Sequence, residues 1–193
     1  KQVSTCWIWS KNTILMKYFN ELKKAMLFLS KNKKVVFIGQ AVTYPGTAMF
    51  NTLTEIKKDK KFELPVAEEM QMGMTIGLAM NGHIPVSIFP RWNFLLLGTN
   101  QMVNHLDKIN LMSKEKFHQK IIIRTAVGSE RPLHPQHQHV GDFTSQFSKM
   151  CKNIDFIKLK EPKDIFPAYK KALLRKDNKP TVLVEYGDFY NEK

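Results

Sequence analysis

Two stretches of this sequence carry residue types that can do acid–base chemistry, and the first is Glu68 with Glu69. These glutamates open a stretch that carries no further charge through Met80. Two interpretations stay open. Both side chains are favourable charges in the first turn of a helix, or one is a carboxyl group held away from water that exchanges a proton with a ligand. Glu68 would share a helix face with Met72 and Ile76, which favours its burial.

The second stretch contains His134, His137 and His139 between Gly128 and Gly141. Three histidines can bind a metal, but this spacing matches no familiar zinc pattern, so the sequence predicts no metal site. One histidine can instead act as an acid, a base or a hydrogen-bond donor, because imidazole gains and loses protons near neutral pH. An ordinary surface loop is the third interpretation.

The elements that must position these residues follow from the spacing of apolar side chains. Solid apolar runs predict strands that are covered on both faces, as in parallel sheets. The predicted strands lie at 35–38, 84–89, 120–125, 154–159 and 181–186, and the predicted helices at 14–29, 46–57, 68–81, 93–112 and 163–176. This alternation is typical of an α/β fold, with a mostly parallel sheet and helices on both faces.

We expect one domain over residues 1–193, with residues 1–12 as an N-terminal extension. Ligands of open α/β sheets bind beyond the carboxyl ends of the strands. The histidine-containing stretch directly follows the predicted strand at 120–125, which places it at that edge.

Composition and charge exclude several classes of protein. The net charge of +13 suggests a nucleic-acid partner, but the chain has four arginines against 26 scattered lysines, and nucleic-acid readers favour arginine. We therefore predict no nucleic-acid binding; a lysine-rich solvated surface and an acidic protein partner stay as the alternatives. No apolar run is long enough to span a membrane, and neither a secretory signal nor a disulfide framework is evident. A cytoplasmic location is the prediction.

Common catalytic signatures such as GxSxG, GxxxxGK[ST], GxGxxG and CxxC are absent from the sequence. Six other segments follow one another in order: VVFIGQAV, PVAEEMQMGMTIGLAMNGHIPV, NFLLLGTNQMVNHLDKI, IIIRTAVG, QHQ and KPTVLVEYGDFY. In this order and spacing the chain resembles the pyrimidine-binding domain of the beta subunit of thiamine-diphosphate-dependent 2-oxo acid dehydrogenases, in the transketolase-like group. The resemblance implies the transketolase-like pyrimidine-binding fold.

The resemblance also implies roles for individual residues. Glu68 matches the glutamate that protonates the cofactor's aminopyrimidine ring, which is how this family activates thiamine diphosphate. Val66, Asn93 and Phe94 match positions at the cofactor, with Phe94 against the pyrimidine ring. His137 matches a histidine implicated in transfer of the acyl group.

Other positions depart from the family pattern. Ala67 replaces the usual serine before the glutamate, and Pro90 with Arg91 replace a glutamine–phenylalanine pair. Arg91 either points into the cleft, where its guanidinium would bind a substrate carboxylate or phosphate, or points outward as a solvated charge. His139 replaces a glutamine, and we assign both Arg91 and His139 to the substrate.

The family binds Mg and the diphosphate through a GDG motif, and this sequence has only G-D-F at 141–143 and 187–189. The resemblance therefore implies a separate alpha-type chain that carries the GDG motif and holds Mg, with two copies of each chain. We expect a pyrimidine domain without the family's second domain, inactive alone, acting with its partner on a 2-oxo acid. A split transketolase or carboligase subunit, and a non-catalytic binding protein that kept the fold, are the alternatives.

Overall fold

The computed structural model describes residues 5–117, 120–128, 135 and 137–190, with side chains from Tyr18 onward. In that part of the chain the strands are β1 (Val35–Gly39), β2 (Lys61–Glu63), β3 (Ile84–Phe89), β4 (Ile122–Val127), β5 (Asp155–Lys158) and β6 (Thr181–Tyr186). The α-helices are α1 (Thr5–Ser30), α2 (Ala48–Asn51), α3 (Glu68–Met80), α4 (Trp92–Leu95), α5 (Ile109–Met112), α6 (Thr144–Met150) and α7 (Pro162–Leu174).

The six strands form one sheet in the order β2-β1-β3-β4-β6-β5, and every neighbouring pair is parallel. Phe37 lies opposite Val86, and Ile123 lies opposite Val182. All the carboxyl ends therefore meet at one edge of the sheet. This architecture confirms the predicted α/β fold with a parallel sheet.

Apolar side chains fill a layer on each face of the sheet, because neighbouring residues of a strand point to opposite faces. Ile122 and Leu183 belong to one layer, which α1, α2 and α7 cover. Ile123 and Val182 belong to the other layer, which α3, α4 and α6 cover. Helices therefore lie on both faces, as predicted.

Helix α1 packs along α7 and is tied to the sheet by Tyr18. The Tyr18 hydroxyl donates to the carbonyl oxygen of Leu159 at 2.7 Å and accepts from the backbone N–H of Tyr186 at 2.9 Å. Neither α1 nor any other helix in the described part of the chain combines the length and the hydropathy needed to cross a lipid bilayer.

A buried ion pair joins β4 to β6. Arg124 Nε lies 2.6 Å from Glu185 Oε1 and NH2 lies 2.9 Å from Oε2, and both side chains are fully buried. Arg124 NH1 also donates to Thr52 Oγ1 at 2.8 Å, and the Tyr169 hydroxyl donates to Glu185 Oε1. Burial and the charge of Glu185 raise the pKa of Tyr169 well above its ordinary value, so this hydroxyl keeps its proton.

Helices α3 and α7 lie where apolar spacing predicts helices, whereas two other predicted helices differ. The stretch 93–112 divides into α4, a 3-10 turn at Leu96–Gly98, a π-helical stretch at Gln101–Leu106, and α5. Part of this stretch packs on α3, where a Cβ at Gly98 would lie 3.6 Å from Met72 Cβ, an ordinary van der Waals contact. The predicted helix at 46–57 contains only the single turn of α2, and the short elements β2 and α6 were not predicted.

Candidate functional site

The two glutamates at the start of α3 lie in different environments. Glu68 is the first residue of the helix and is only 4% exposed, whereas Glu69 is exposed. Glu68 Oε1 accepts a hydrogen bond of 3.0 Å from Gln40 Nε2, and Gln40 directly follows β1. One carboxylate is thus held out of solvent at the carboxyl edge of the sheet, and Glu69 remains an ordinary first-turn charge.

Gly39, the last residue of β1, allows β1, β3 and α3 to approach one another closely. Its backbone angle φ is +139°, and a Cβ there would lie 2.3 Å from the carbonyl oxygen of Ile88 and 2.6 Å from Gln71 Nε2. Gln71 is fully buried and donates to that same carbonyl at 2.8 Å and to Ser87 Oγ at 3.1 Å, which ties α3 to β3. Only glycine fits between β3 and α3 at this point.

The loop after β1 is fixed by Glu63 at the end of β2. The Glu63 carboxylate accepts three backbone N–H groups in succession: Ala41 at 2.7 Å, Val42 at 2.8 Å and Thr43 at 2.6 Å. Such hydrogen bonds to a charged acceptor are stronger than those between neutral groups. The sequence does not predict this contact, because Glu63 belongs to a three-residue strand with no apolar pattern.

Phe94 and His139 lie together at the neighbouring part of the edge, beyond β3 and β4. Their ring centroids are 5.1 Å apart, with the ring planes tilted by 56°. The Nδ1 atom of His139 is buried and has no hydrogen-bond partner among the described residues. Phe94 is partly exposed, and its ring lies against the ring of His139 that carries this nitrogen.

Arg91 and Asn93, on either side of Trp92, bind the chain that follows β4. Arg91 NH1 donates to the carbonyl oxygens of Gly128 at 3.0 Å and His139 at 3.1 Å. Asn93 Oδ1 accepts from the backbone N–H of Gly141 at 3.0 Å. The substrate role predicted for Arg91 stays a prediction, and its guanidinium contacts the backbone of the histidine-containing stretch.

Asp142 fixes the chain just beyond Gly141. Its carboxylate accepts from Thr144 Oγ1 at 2.6 Å, from the Thr144 backbone N–H at 3.0 Å and from Lys158 Nζ at 2.6 Å. Burial alone would raise the pKa of Asp142, but the hydrogen bonds from Lys158 and Thr144 hold that pKa below its ordinary value. The group therefore stays ionised, and the ion pair to Lys158 joins this segment to β5.

Val66 and His137 are both exposed, and Val66 is 79% exposed despite being apolar. Their predicted roles at the cofactor and in acyl transfer stay predictions. His134 lies outside the described residues, so the structure does not test an arrangement of the three histidines. Within the described ranges no three His, Cys, Asp or Glu side chains are grouped so that they could hold a metal ion.

The side of α3 opposite Glu68 is apolar and uncovered among the described residues. Met70 is 42% exposed and Met74 is 43% exposed, and a Cβ at Gly73 or Gly77 would meet nothing within 4 Å. We call these four residues the α3 apolar face. Beyond Glu68 and Glu69 in its first turn, α3 carries no charge, so this face is an exposed apolar patch on the described part of the chain.

The sequence is similar to a known domain family and to curated proteins over most of its length. Residues 17–190 match the model of the transketolase pyrimidine-binding domain. The chain is 30% identical over 179 residues to the chloroplastic pyruvate dehydrogenase E1 component subunit beta-4 of rice, covering 91% of this chain and 44% of that protein. It is 27% identical over 173 residues to the mitochondrial pyruvate dehydrogenase E1 component subunit beta of Ascaris suum, covering 86% of this chain and 45% of that protein.

Solved structures show the same fold at low sequence identity. A split-gene transketolase, described as an inactive beta4 tetramer, superposes with a TM-score of 0.65 at 15% identity, covering 87% of this chain and 50% of that chain. Transketolase from Campylobacter jejuni gives a TM-score of 0.63 at 12% identity, covering 86% of this chain and 25% of that chain. The chain spans about half the length of the curated relatives described above. Since the family model matches nearly the whole chain, the protein belongs to the transketolase pyrimidine-binding domain family.

Proposed function

We propose that this chain is the beta-type subunit of a heteromeric thiamine-diphosphate-dependent enzyme acting on a 2-oxo acid. The observation that carries the proposal is Glu68, a buried carboxylate bonded to Gln40 at the carboxyl edge of a pyrimidine-binding fold. A carboxylate is costly to bury unless it is used or paired, and Gln40 is a neutral partner. This placement suits a group that exchanges a proton with a ligand ring.

The residues of the site fit the pyrimidine half of the cofactor. Thiamine diphosphate, when bound, supplies a carbon nucleophile and an electron sink. We assign Glu68 to hold and return a proton at a nitrogen of the aminopyrimidine ring, with Gln40 orienting the carboxylate. Phe94 and Val66 offer apolar surface to that ring, and Asn93 completes the cofactor contacts.

His137 is the proposed acid or base in acyl transfer, which its exposed position at this edge of the fold allows. His139 and Arg91 stay the predicted substrate residues. The Nδ1 of His139 has no hydrogen-bond partner among the described residues and lies beside Phe94, which supports the first assignment, because a buried polar atom is costly unless a partner satisfies it.

The diphosphate and Mg are assigned to a separate alpha-type chain that carries the GDG motif, with two copies of each chain in the complex. The α3 apolar face supports a partner, because it lies on the helix that begins with Glu68 and presents apolar side chains to solvent. Obligate interfaces bury more than about 2,000 Å² and are rich in such surface. Without the partner we expect no turnover. The predicted cytoplasmic location stays a prediction.

The test is Glu68→Gln in the complex reconstituted with the GDG-containing chain, with Glu69→Gln as the matched control. An amide keeps the size of Glu68 but cannot exchange the proton, so kcat for 2-oxo acid consumption should fall by about 10²- to 10⁴-fold. Glu69→Gln should leave kcat unchanged, since Glu69 is exposed on the same helix turn. Undiminished turnover of Glu68→Gln would contradict the assignment. Product analysis with lipoamide or sugar acceptors separates a dehydrogenase from a transketolase-type reaction.

A further inference from the structure

Three consecutive residues direct hydrogen bonds to one target. Trp92, fully buried between Arg91 and Asn93, donates from Nε1 to Thr144 Oγ1 at 3.1 Å. The bonds of all three residues end on what we call the loop base, which consists of Gly128, His139, Gly141 and Thr144. The start of α4 thus contacts the chain on both sides of the histidine-containing stretch.

Glycines make the loop base compact. A Cβ at Gly128, where φ is +73°, would lie 2.4 Å from Asp188 Oδ2. A Cβ at Gly141 would lie 2.6 Å from the ring of Phe143. The positive φ of Gly128 disfavours any other residue there, and at Gly141 the ring of Phe143 occupies the space that a Cβ would need.

His139 needs an external support to keep its conformation. Its φ is +59°, a left-handed backbone that costs free energy for any residue other than glycine. The carbonyl oxygen of His139 accepts from Arg91, and its ring lies against Phe94. These two contacts come from the same short segment, residues 91–94, so that segment holds the strained residue.

We infer that Arg91, Trp92 and Asn93 are positioning residues: they clamp the loop base and so place His137 and His139 at the edge of the sheet. The catalytic use of this placement rests on the proposed function, whereas the clamp itself is a structural property of this chain. Loops that carry functional side chains depend on a rigid scaffold for their geometry. In this role Arg91 acts on the reaction through the backbone of the histidine-containing segment, which is the alternative to the substrate contact predicted from the sequence.

Hydrogen exchange of the full chain, read by mass spectrometry over residues 137–143, tests the clamp directly. Arg91→Gln removes a charge-assisted donor to two carbonyls, so exchange there should accelerate about tenfold or more. Asn93→Ala should accelerate exchange of the Gly141 N–H about fivefold, whereas Asn93→Asp keeps the acceptor and should restore protection. Arg175→Gln, which removes a guanidinium at the far end of α7, is the matched control and should leave this segment unchanged.

Unchanged exchange in Arg91→Gln and Asn93→Ala would overturn the clamp. If Arg91→Gln does not fold, the Asn93→Ala and Asn93→Asp pair decides the question by itself. In the reconstituted complex, Arg91→Gln should lower kcat about tenfold or more while KM for the 2-oxo acid changes by less than about twofold. A raised KM with unchanged kcat would instead assign Arg91 to the substrate and overturn its positioning role.

The exchange result is independent of turnover. A complex without thiamine-dependent activity would refute the proposed function, while faster exchange in the variants would still establish the clamp. If the complex is active but hydrogen exchange in the variants is unchanged, only the further inference is refuted.

Discussion

The buried pair of Arg124 and Glu185 gives a quantitative prediction about what holds β4 and β6 together. Replacing Arg124 with Met leaves the Glu185 carboxylate fully buried, with the Tyr169 hydroxyl as its remaining described donor. Replacing Glu185 with Leu leaves the guanidinium buried with Thr52. Each single substitution therefore strands a charge that the fold cannot hydrate.

The expected magnitude follows from that stranded charge. Breaking a buried ion pair on one side costs about 3–5 kcal/mol, whereas replacing both partners with apolar residues is often neutral or stabilising. We expect Arg124→Met to lower the free energy of unfolding by about 4 kcal/mol. The double variant, Arg124→Met with Glu185→Leu, should recover most of that loss. The coupling between the two sites is then positive and large.

Urea unfolding followed by circular dichroism measures these differences. With a slope of about 2–3 kcal/mol per molar urea, the midpoint of Arg124→Met should fall by about 1.5 M. Lys23→Met is the matched control, because Lys23 pairs with Glu55 at the surface, where the two side chains are 29% and 53% exposed. Such an exposed pair contributes at most about 1 kcal/mol. A loss below about 1 kcal/mol in Arg124→Met, or a double variant as unstable as the sum of the singles, would refute the reasoning.

Two further predictions concern a backbone constraint and the effect of acid. Gly39→Ala should lower the free energy of unfolding by more than about 3 kcal/mol, because its Cβ would meet Ile88 and Gln71; Gly73→Ala, where the space is open, should change it by less than about 1 kcal/mol. Equal urea midpoints for the two variants would contradict this. The hydrogen bond from Arg175 lowers the pKa of Asp177 to about 2, below the ordinary 3.8, so the stabilisation is present above pH 4 and is lost as the pH falls toward 2. Thermal melts from pH 5 to pH 2 should therefore show a smaller acid-induced loss in Asp177→Asn than in the exposed control Asp59→Asn, and equal losses would count against the assignment.

The apolar runs of the sequence determined the sheet. A run such as Val35–Gly39 has no polar residue to turn toward water on either face, so it must be covered on both sides, and that requirement gives a parallel sheet between helices. Helical spacing of apolar residues predicted α3, because Met72 and Ile76 follow Glu68 on one helix face.

The apolar pattern did not predict the short elements β2 and α6. β2 has three residues and α6 has seven, so neither contains enough repeats for a pattern to stand out. The stretch 93–112 has a helical pattern, but it folds as four pieces, and its segment at Gly98 packs on α3. Packing against a neighbour overrides local propensity in such a segment.

Helical spacing with Met72 and Ile76 favoured the burial of Glu68, and the tertiary structure decided how deeply Glu68 and Glu69 each lie. Successive residues of a helix point about 100° apart, and which direction is covered depends on where β1 and β3 lie. The hydrogen bond from Gln40 joins residues 28 positions apart, and the pairing of Arg124 with Glu185 joins residues 61 positions apart. Contacts at that separation arise from strand order, which local sequence does not encode. The sequence by itself therefore determined the layers and the chemistry available, and the order of the strands decided which side chains meet.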